Sequence, residues 1–475
     1  MTISLIFIPV LLVLLLNIPR LSGKFAYRAA LVFFAYQFIS VFFPQFGSIQ
    51  LASLLERVFP ISQLDIFDDG ISKIMIISAS IVAFVSLVTS KNFAKSDGKL
   101  FSVSNLMLLA AAGINGLVFS RDLFTLYVFI EIIAVASYIM IALDKKAGAL
   151  EGGFKYLIIS SIATVMMMFS IALFFLIAGG TGFEEITAAV KNYGSNPVII
   201  IAVLLFIIAA LIKGGLVPFH GWLSGAYSQA PAGISVFLGG IVTKTTGIFT
   251  LIRILYDVTG WTSDIKMILL VIGTITIIIG ALTAIVQKDF KRVLAFSSIS
   301  QMGYIVLALG TGTKFGVAAA LFHLFNHAIF KSTLFVNSAA VEKQTGRLEL
   351  DTFGGLGAKM PVTSFTSSVA FLSASGLPPF SGFWSKLLII MALWTASYQG
   401  FAVIAILASL LTMGYFLTLT KKVFYGEPSE TVKDIVEAPK SLTASAIVLT
   451  AVTIGVGILF PFVLKGFILP AVGIF

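Results

Sequence analysis

Six ionisable side chains lie inside long apolar stretches of a 475-residue chain: Glu131, Lys213, Lys244, His323, His327 and Lys386. A charge held at the middle of a bilayer costs about 2.5–3.5 kcal/mol, so such a group must face the inside of a helix bundle, pair with a partner or take its neutral form. Groups placed this way are suited to passing on protons or cations. Glu131 stands in Leu-Tyr-Val-Phe-Ile-Glu-Ile-Ile-Ala-Val, near the middle of its apolar run. Lys213 stands in Ile-Ile-Ala-Ala-Leu-Ile-Lys-Gly-Gly, and Lys244 has roughly 20 Å of helix on either side of it, too far for its ammonium to reach a headgroup.

His323, His327 and Lys331 repeat at i, i+4 and i+8 in Leu-Phe-His-Leu-Phe-Asn-His-Ala-Ile-Phe-Lys, which puts them on one face of a helix. Histidine titrates near neutrality, so this stripe is a candidate proton relay. Metal binding is the weaker reading, because the two histidines have no Glu or Cys nearby to complete a ligand set. Haem is weaker still, since two histidines on one helix cannot approach a ring from opposite faces. No metal or cofactor is expected in this chain. Lys155 and His220 are possible helpers with Lys331, and the plain reading of Lys155 is interfacial anchoring.

Positioning these residues requires helices that cross a membrane. The chain is 58% hydrophobic and 11% charged, against roughly 25% charged residues in a soluble domain. Apolar runs recur along its whole length, and about 18 residues suffice to cross a hydrocarbon core about 30 Å thick. The reading is an all-α polytopic membrane protein with about fourteen transmembrane helices. They are placed near 1–17, 27–46, 71–90, 101–120, 123–143, 153–178, 197–217 with 220–229, 231–256, 266–286, 293–309, 314–340, 361–395, 401–421 and 440–465. A transmembrane barrel would need short alternating segments, which this sequence lacks.

Two of these segments share a pattern, Gly215-Leu-Val-Pro-Phe-His-Gly-Trp222 and Gly376-Leu-Pro-Pro-Phe-Ser-Gly-Phe383. Proline removes a backbone donor and clashes with the preceding turn, so each should break its helix at membrane depth. The two segments are the seventh and twelfth spans, and an odd separation reverses the direction of the second. That is an inverted repeat, and paired broken helices in inverted halves point to a transport path. The expected organisation is 1–100 for helices one to three, 101–256 for a first five-helix repeat, 266–421 for a second and 422–475 for the last helix.

The net charge of +10 is spread over short loops and helix ends rather than gathered on one face, which argues against nucleic-acid binding and for a topology signal. Arg20, Lys24 and Arg28 mark one loop as cytoplasmic, as do Lys91, Lys95 and Lys99, and Lys288, Lys291 and Arg292. The acidic loop with Glu56, Asp65, Asp68 and Asp69 against Arg57 lies on the other side. Both termini are then expected outside the cell membrane. The longest polar stretches are too short for a nucleotide-binding domain, and the first segment lacks the cleavage site of a signal peptide. With no cysteine the chain holds no iron–sulfur cluster and no disulfide, so electron chemistry of that type would need a partner, and no redox site is expected in this chain.

The motifs around these residues are specific. Glu131, Ala-Leu-Ile-Lys213-Gly-Gly-Leu-Val-Pro-Phe-His220-Gly-Trp-Leu, Ala230-Pro231, Lys244, Asp289-Phe-Lys-Arg-Val-Leu-Ala-Phe-Ser-Ser-Ile, His323, His327 and Leu-Pro-Pro-Phe-Ser-Gly-Phe-Trp-Ser-Lys386 resemble the antiporter-like subunits shared by respiratory complex I, Mrp-type Na+/H+ antiporters and membrane-bound hydrogenases. The resemblance implies fourteen helices with two inverted five-helix repeats. It implies that Glu131 and Lys213 form a carboxylate–lysine pair, that Lys244 is a central relay lysine, that His323 and His327 continue the line and that Lys386 is the exit-side lysine. It implies partners too: other membrane subunits and peripheral redox subunits with Fe–S clusters, with protons and Na+ as the ions moved. The chain lacks the long lateral helix of the largest members and reads as one of the shorter paralogues.

Two other function classes stay open on sequence alone. A stand-alone secondary transporter of an organic solute would use the same broken helices. A structural membrane anchor for an oxidoreductase would not require so many costly buried charges.

Overall fold

The computed structural model describes residues 2–18, 21–43, 68–427 and 432–474. Arg20, Glu56, Arg57 and Asp65, used above for topology, lie outside the described residues. Among the described residues the regular structure is helical, with two isolated β-bridges. Among the described residues ten helices are long and apolar enough to cross a membrane, and four shorter apolar helices accompany them. The protein is a polytopic α-helical membrane protein.

Within the described residues each predicted span falls on a helix or on a broken pair of helices. Lys314–Thr345 runs for 32 residues and is almost wholly buried, and it carries Asn326, Asn337 and Ser338 besides His323, His327 and Lys331. Protein rather than lipid surrounds that helix, which explains how it tolerates so many polar groups. Phe183–Tyr193, between two predicted spans, is a short helix capped by Glu185 on the Gly182 N–H, with Phe183, Ile186 and Ala189 buried on one face. The fourteenth helix ends at Ile458, and a further helical stretch, Phe460–Ala471, follows it.

Contacts divide the chain into two units. One holds Met1–Leu87, Ala94–Gly214 and Ile241–Trp261, the other Val88–Phe93, Gly215–Gly240 and Thr262–Phe475. This division differs from the repeat boundaries read in the sequence, because the chain changes unit at the break after Lys213 and again within the Ala232–Thr259 helix. In the first unit Asp97–Phe119 packs on Leu123–Ala142, and Ala147–Ala178 on Pro197–Lys213. Small residues set the approach. A methyl group added at Gly116 would lie 2.3 Å from the Phe129 ring, so glycine is what lets these helices touch. In the second unit Ser263–Ile285 and Phe290–Leu309 meet through Gly273 and Gly303 in the same manner.

The two halves of the chain share a sequence of local devices. Asp122 caps Leu123–Ala142 by accepting from the Thr125 N–H at 2.7 Å, and Asp289 caps Phe290–Leu309 by accepting from the Arg292 N–H at 2.8 Å. Each of these aspartates also forms a bridge to a residue beyond the next long helix, Asp122 to Gly182 and Asp289 to Glu349. Those long helices, Ala147–Ala178 and Lys314–Thr345, are both 32 residues and both end on a left-handed glycine, Gly179 and Gly346. A broken helix follows each: Pro197–Lys213 with Gly221–Gln229, and Pro361–Ser375 with Ser381–Thr395. The breaks contain Gly215 and Gly376 at positive φ, a conformation that glycine adopts without strain.

Candidate functional site

In the first unit, Lys213 sits in the last turn of its helix, where the chain must stop because Gly214 and Gly215 follow. Its side chain is 1% exposed, and its ammonium donates to Glu131 Oε1 at 2.9 Å, to Ser160 Oγ at 2.8 Å and to Thr164 Oγ1 at 3.0 Å. Three N–H donors thus meet three oxygens from two neighbouring helices, Leu123–Ala142 and Ala147–Ala178. The Thr164 hydroxyl also donates to Glu131 Oε1. Glu131 keeps a side-chain exposure of 33%, so the pair has a dry end at the lysine and an open end at the carboxylate. Such an ion pair can open and close as a proton arrives or leaves, because losing either charge removes the attraction.

Lys244 is fully buried in Ala232–Thr259. The backbone there has π-type hydrogen bonding over Lys244–Phe249, and π segments often accompany functional sites because the extra residue per turn re-aims the side chains. Gly247, three residues on, presses against the end of the Lys213 helix: a Cβ there would lie 2.2 Å from Gly214 N. The two lysine-bearing helices therefore touch backbone to backbone.

One cluster in this unit was not legible from the sequence. Arg253 is buried and forms a fork on Asp69, at 2.7 and 2.8 Å, while also donating to Asp257 Oδ2 at 3.1 Å and Ser72 Oγ at 2.6 Å. Burial works against ionising the Asp69 carboxyl, but the hydrogen bonds and charge of Arg253, with the Ser72 N–H, outweigh it and hold that carboxyl below its usual range. Asp69 and Arg253 are 184 residues apart, and Asp69 reads in the sequence as one more charge of an acidic loop.

In the second unit His323 has both ring nitrogens engaged, Nδ1 with Ser385 Oγ at 2.9 Å and Nε2 with Gln301 Oε1 at 3.1 Å. The His327 ring stacks toward His323 at 6.3 Å between centroids. Lys331 donates to the Leu294 carbonyl at 3.0 Å and to Ser297 Oγ. Lys386 is buried beside the second break, with its ammonium 4.6 Å from the centre of the Tyr304 ring, a cation–π geometry. Tyr304 faces His323 as well, at 6.1 Å between rings. A cavity of about 190 Å³ lined by Gly376, Lys386 and Ser409 adjoins this group.

The remaining expected residues fall elsewhere. Lys155 is exposed and pairs with Glu151 at 2.5 Å one turn earlier, so the structure does not bring it to Glu131 or Lys213. His220 is half-buried at the start of Gly221–Gln229, edge-on to Phe296 at 6.5 Å. Lys291, read as a loop charge, is instead buried and pairs with Glu342 at 2.7 Å. Ser160, Thr164, Gln301, Tyr304 and Ser385 were missed by sequence reading, since uncharged polar residues are common in membrane helices and only the fold shows which of them meet a charge. Among the described residues no group of three or more His, Asp or Glu side chains could hold a metal ion.

A bundle of apolar helices with ammonium, carboxylate and imidazole groups bonded inside it defines a membrane protein of the ion-handling class. Residues 120–412 match the family described as NADH:quinone oxidoreductase/Mrp antiporter, TM, and the chain belongs to that family. It is 30% identical over 393 residues to an Na(+)/H(+) antiporter subunit of Alkalihalophilus pseudofirmus, covering 82% of this chain and 79% of that one. Its fold matches a chain of the Mrp complex from a Dietzia species, with TM-score 0.88 and 23% identity over 100% of this chain and 97% of the other. It also matches a chain of an archaeal membrane-bound sulfane sulfur reductase complex, with TM-score 0.85 and 26% identity over 99% and 96%.

Proposed function

We propose that the chain moves protons, or exchanges Na+ for protons, across the cell membrane as one subunit of a multisubunit membrane complex. The observation that carries this reading is the buried Lys213 ammonium held by Glu131, Ser160 and Thr164. An ion pair that served stability alone would be a poor investment inside a bundle, where apolar packing of the same volume does as well or better. Its carboxylate, one-third exposed at the bundle surface, is the member of the pair that a neighbouring subunit can reach. Within each unit, charged and imidazole groups serve as successive holders: Glu131, Lys213 and Lys244 in one, His323, His327, Lys331 and Lys386 in the other. Charging one member changes the field at the next through a low-dielectric interior, which is how uptake at one group drives release from another.

The partners in this reading are other membrane subunits, as in the Mrp and sulfane sulfur reductase complexes that contain similar chains. Where the complex includes an oxidoreductase, the electron chemistry belongs to peripheral subunits with Fe–S clusters, because this chain has no cysteine to ligate one. Basic residues at Lys24, Arg28, Lys91 and Lys95 support an orientation with both termini outside.

The test is ion movement by the complex in sealed liposomes, comparing wild type with Lys213→Ala and Glu131→Ala. Both variants should insert and assemble yet move no protons or sodium above background. Wild-type movement by both would overturn the reading.

A further inference from the structure

The surroundings of His323 contain a feature that the line of charged residues does not explain. The His323 imidazole is fully buried, and each ring nitrogen meets one uncharged polar atom from a different helix: Gln301 Oε1 from Phe290–Leu309 and Ser385 Oγ from Ser381–Thr395. The Ser385 oxygen also lies 3.1 Å from the Gly382 carbonyl on its own helix. A serine hydroxyl has one hydrogen, which rotates, and two lone pairs. A carbonyl oxygen such as Gln301 Oε1 only accepts.

We propose that Ser385 and Gln301 are positioning residues that keep His323 fully hydrogen-bonded in both of its protonation states, with the Ser385 hydroxyl acting as a rotary switch. In the neutral ring, Nε2–H donates to Gln301 Oε1, which fixes the tautomer and leaves the lone pair on Nδ1. The Ser385 O–H points at that lone pair and donates to it. When a proton is bound at Nδ1, the ring donates there instead. The Ser385 oxygen accepts, and its own hydrogen turns to the Gly382 carbonyl. No heavy atom moves, no proton is left over, and both ring nitrogens are bonded in either state.

This matters because an unmet polar group in a dry site is costly, and a seat satisfied in only one state would trap the proton or refuse it. The titratable groups that face His323 are Lys386 and Tyr304 from the helices carrying Ser385 and Gln301, and His327 on its own helix. Each of these sets how strongly a charge on His323 is opposed. Ser385 and Gln301 carry no charge, so they shape the site without adding to that opposition. The proposal rests on the reading of His323 as a proton holder, and the experiment separates the two.

The chain has three histidines, so labelling histidine nitrogen in this chain alone, within a complex of otherwise unlabelled subunits, gives three imidazole signals that NMR can follow against pH. Wild type should show the neutral His323 ring as the Nε2–H tautomer. Gln301→Met should turn it to the Nδ1–H tautomer, donating to Ser385. Ser385→Ala removes the acceptor that the charged ring needs more than the neutral ring needs its donor. His323 should then bind its proton roughly tenfold more weakly, the loss of one hydrogen bond to a charged group. Ser385→Thr keeps the hydroxyl and should restore wild-type titration. An unchanged tautomer in Gln301→Met, or an unchanged titration in Ser385→Ala, overturns the seat. Proton movement is measured on the same samples together with His323→Gln. If His323→Gln moves protons at the wild-type rate while the NMR changes appear, the seat stands and the relay role of His323 falls.

Discussion

Lys213 Nζ lies 2.9 Å from Glu131 Oε1 across 82 residues of sequence, and the lysine end of the pair is dry while the carboxylate end is open. That asymmetry separates the effects of the two single substitutions. Lys213→Met removes the buried charge and leaves a carboxylate that is one-third exposed at the bundle surface, whereas Glu131→Gln leaves an ammonium with no counter-charge in a buried site. Stranding a buried charge costs about 3–5 kcal/mol, so Glu131→Gln should lower thermal stability in detergent far more than Lys213→Met. The double variant should recover most of that stability and still move no ions. Equal melting of the two single variants would refute the assigned polarity of the pair.

The Arg253 fork on Asp69 calls for a different measurement. Arg253→Lys keeps the charge but loses the paired geometry, and Arg253→Ala strands Asp69 and Asp257 together. The alanine variant should lose about 3–5 kcal/mol of stability and the lysine variant a smaller share. The pH dependence has a definite sign. The Asp69 carboxyl is held below its usual range in the folded protein, so its contribution is complete above the unfolded value, about 3.9, and fades as pH falls through the lower folded value. Asp69→Asn should remove that part of the acid dependence. Melting temperatures of wild type and Asp69→Asn between pH 3 and 6 would contradict this by running parallel.

Gly247 tests whether the backbone contact between the two lysine helices matters for function. An alanine there would place its Cβ 2.2 Å from Gly214 N and 2.3 Å from Gly214 Cα, atoms that cannot rotate away. The helices must separate, and Lys213, next to Gly214, moves with its helix end. Gly247→Ala should therefore reduce ion movement while the protein still inserts and assembles. The nearby Gly260, whose Cβ would meet nothing within 4 Å but whose φ is +65°, would respond to alanine through backbone strain alone and serves as the comparison. Activity loss confined to Gly260→Ala would reject the contact argument.

Much of this arrangement was legible in the sequence because membrane helices carry few signals, and each is loud. An apolar run of membrane length and a charge inside it are both visible in the one-dimensional string, which is why Glu131, Lys213, Lys244 and Lys386 stand out. The Pro-containing breaks are visible for the same reason. What could not be read was which neutral side chains meet those charges. Ser160 and Thr164 look like any helix-packing residues until Lys213 is placed between them, and Ser385 is simply the residue before Lys386. Arg253 was lost for another reason. Near the end of a span an arginine reads as an interfacial anchor, and its burial depends on Asp69, which only the fold brings near. Lys291 was misread in the same way, its partner Glu342 lying at the end of a different long helix.

Tyr304 separates the contribution of a ring face from that of a hydroxyl at the second break. Its ring lies beneath the Lys386 ammonium at 4.6 Å, and its hydroxyl donates to the Ala405 carbonyl at 2.9 Å and meets Ser409 at 3.0 Å. A desolvated cation–π contact is worth about 2 kcal/mol, more than the net value of one ordinary hydrogen bond, about 1 kcal/mol. If the ring face is what holds Lys386 in its charged form, Tyr304→Phe should keep most ion movement, and Tyr304→Leu should lose roughly thirtyfold, the rate equivalent of that energy. If instead the hydroxyl carries the effect, Phe and Leu should be equally impaired. Measuring initial rates for the two variants in liposomes decides between them, since both replacements are apolar and remove the hydroxyl's bonds to Ala405 and Ser409 alike.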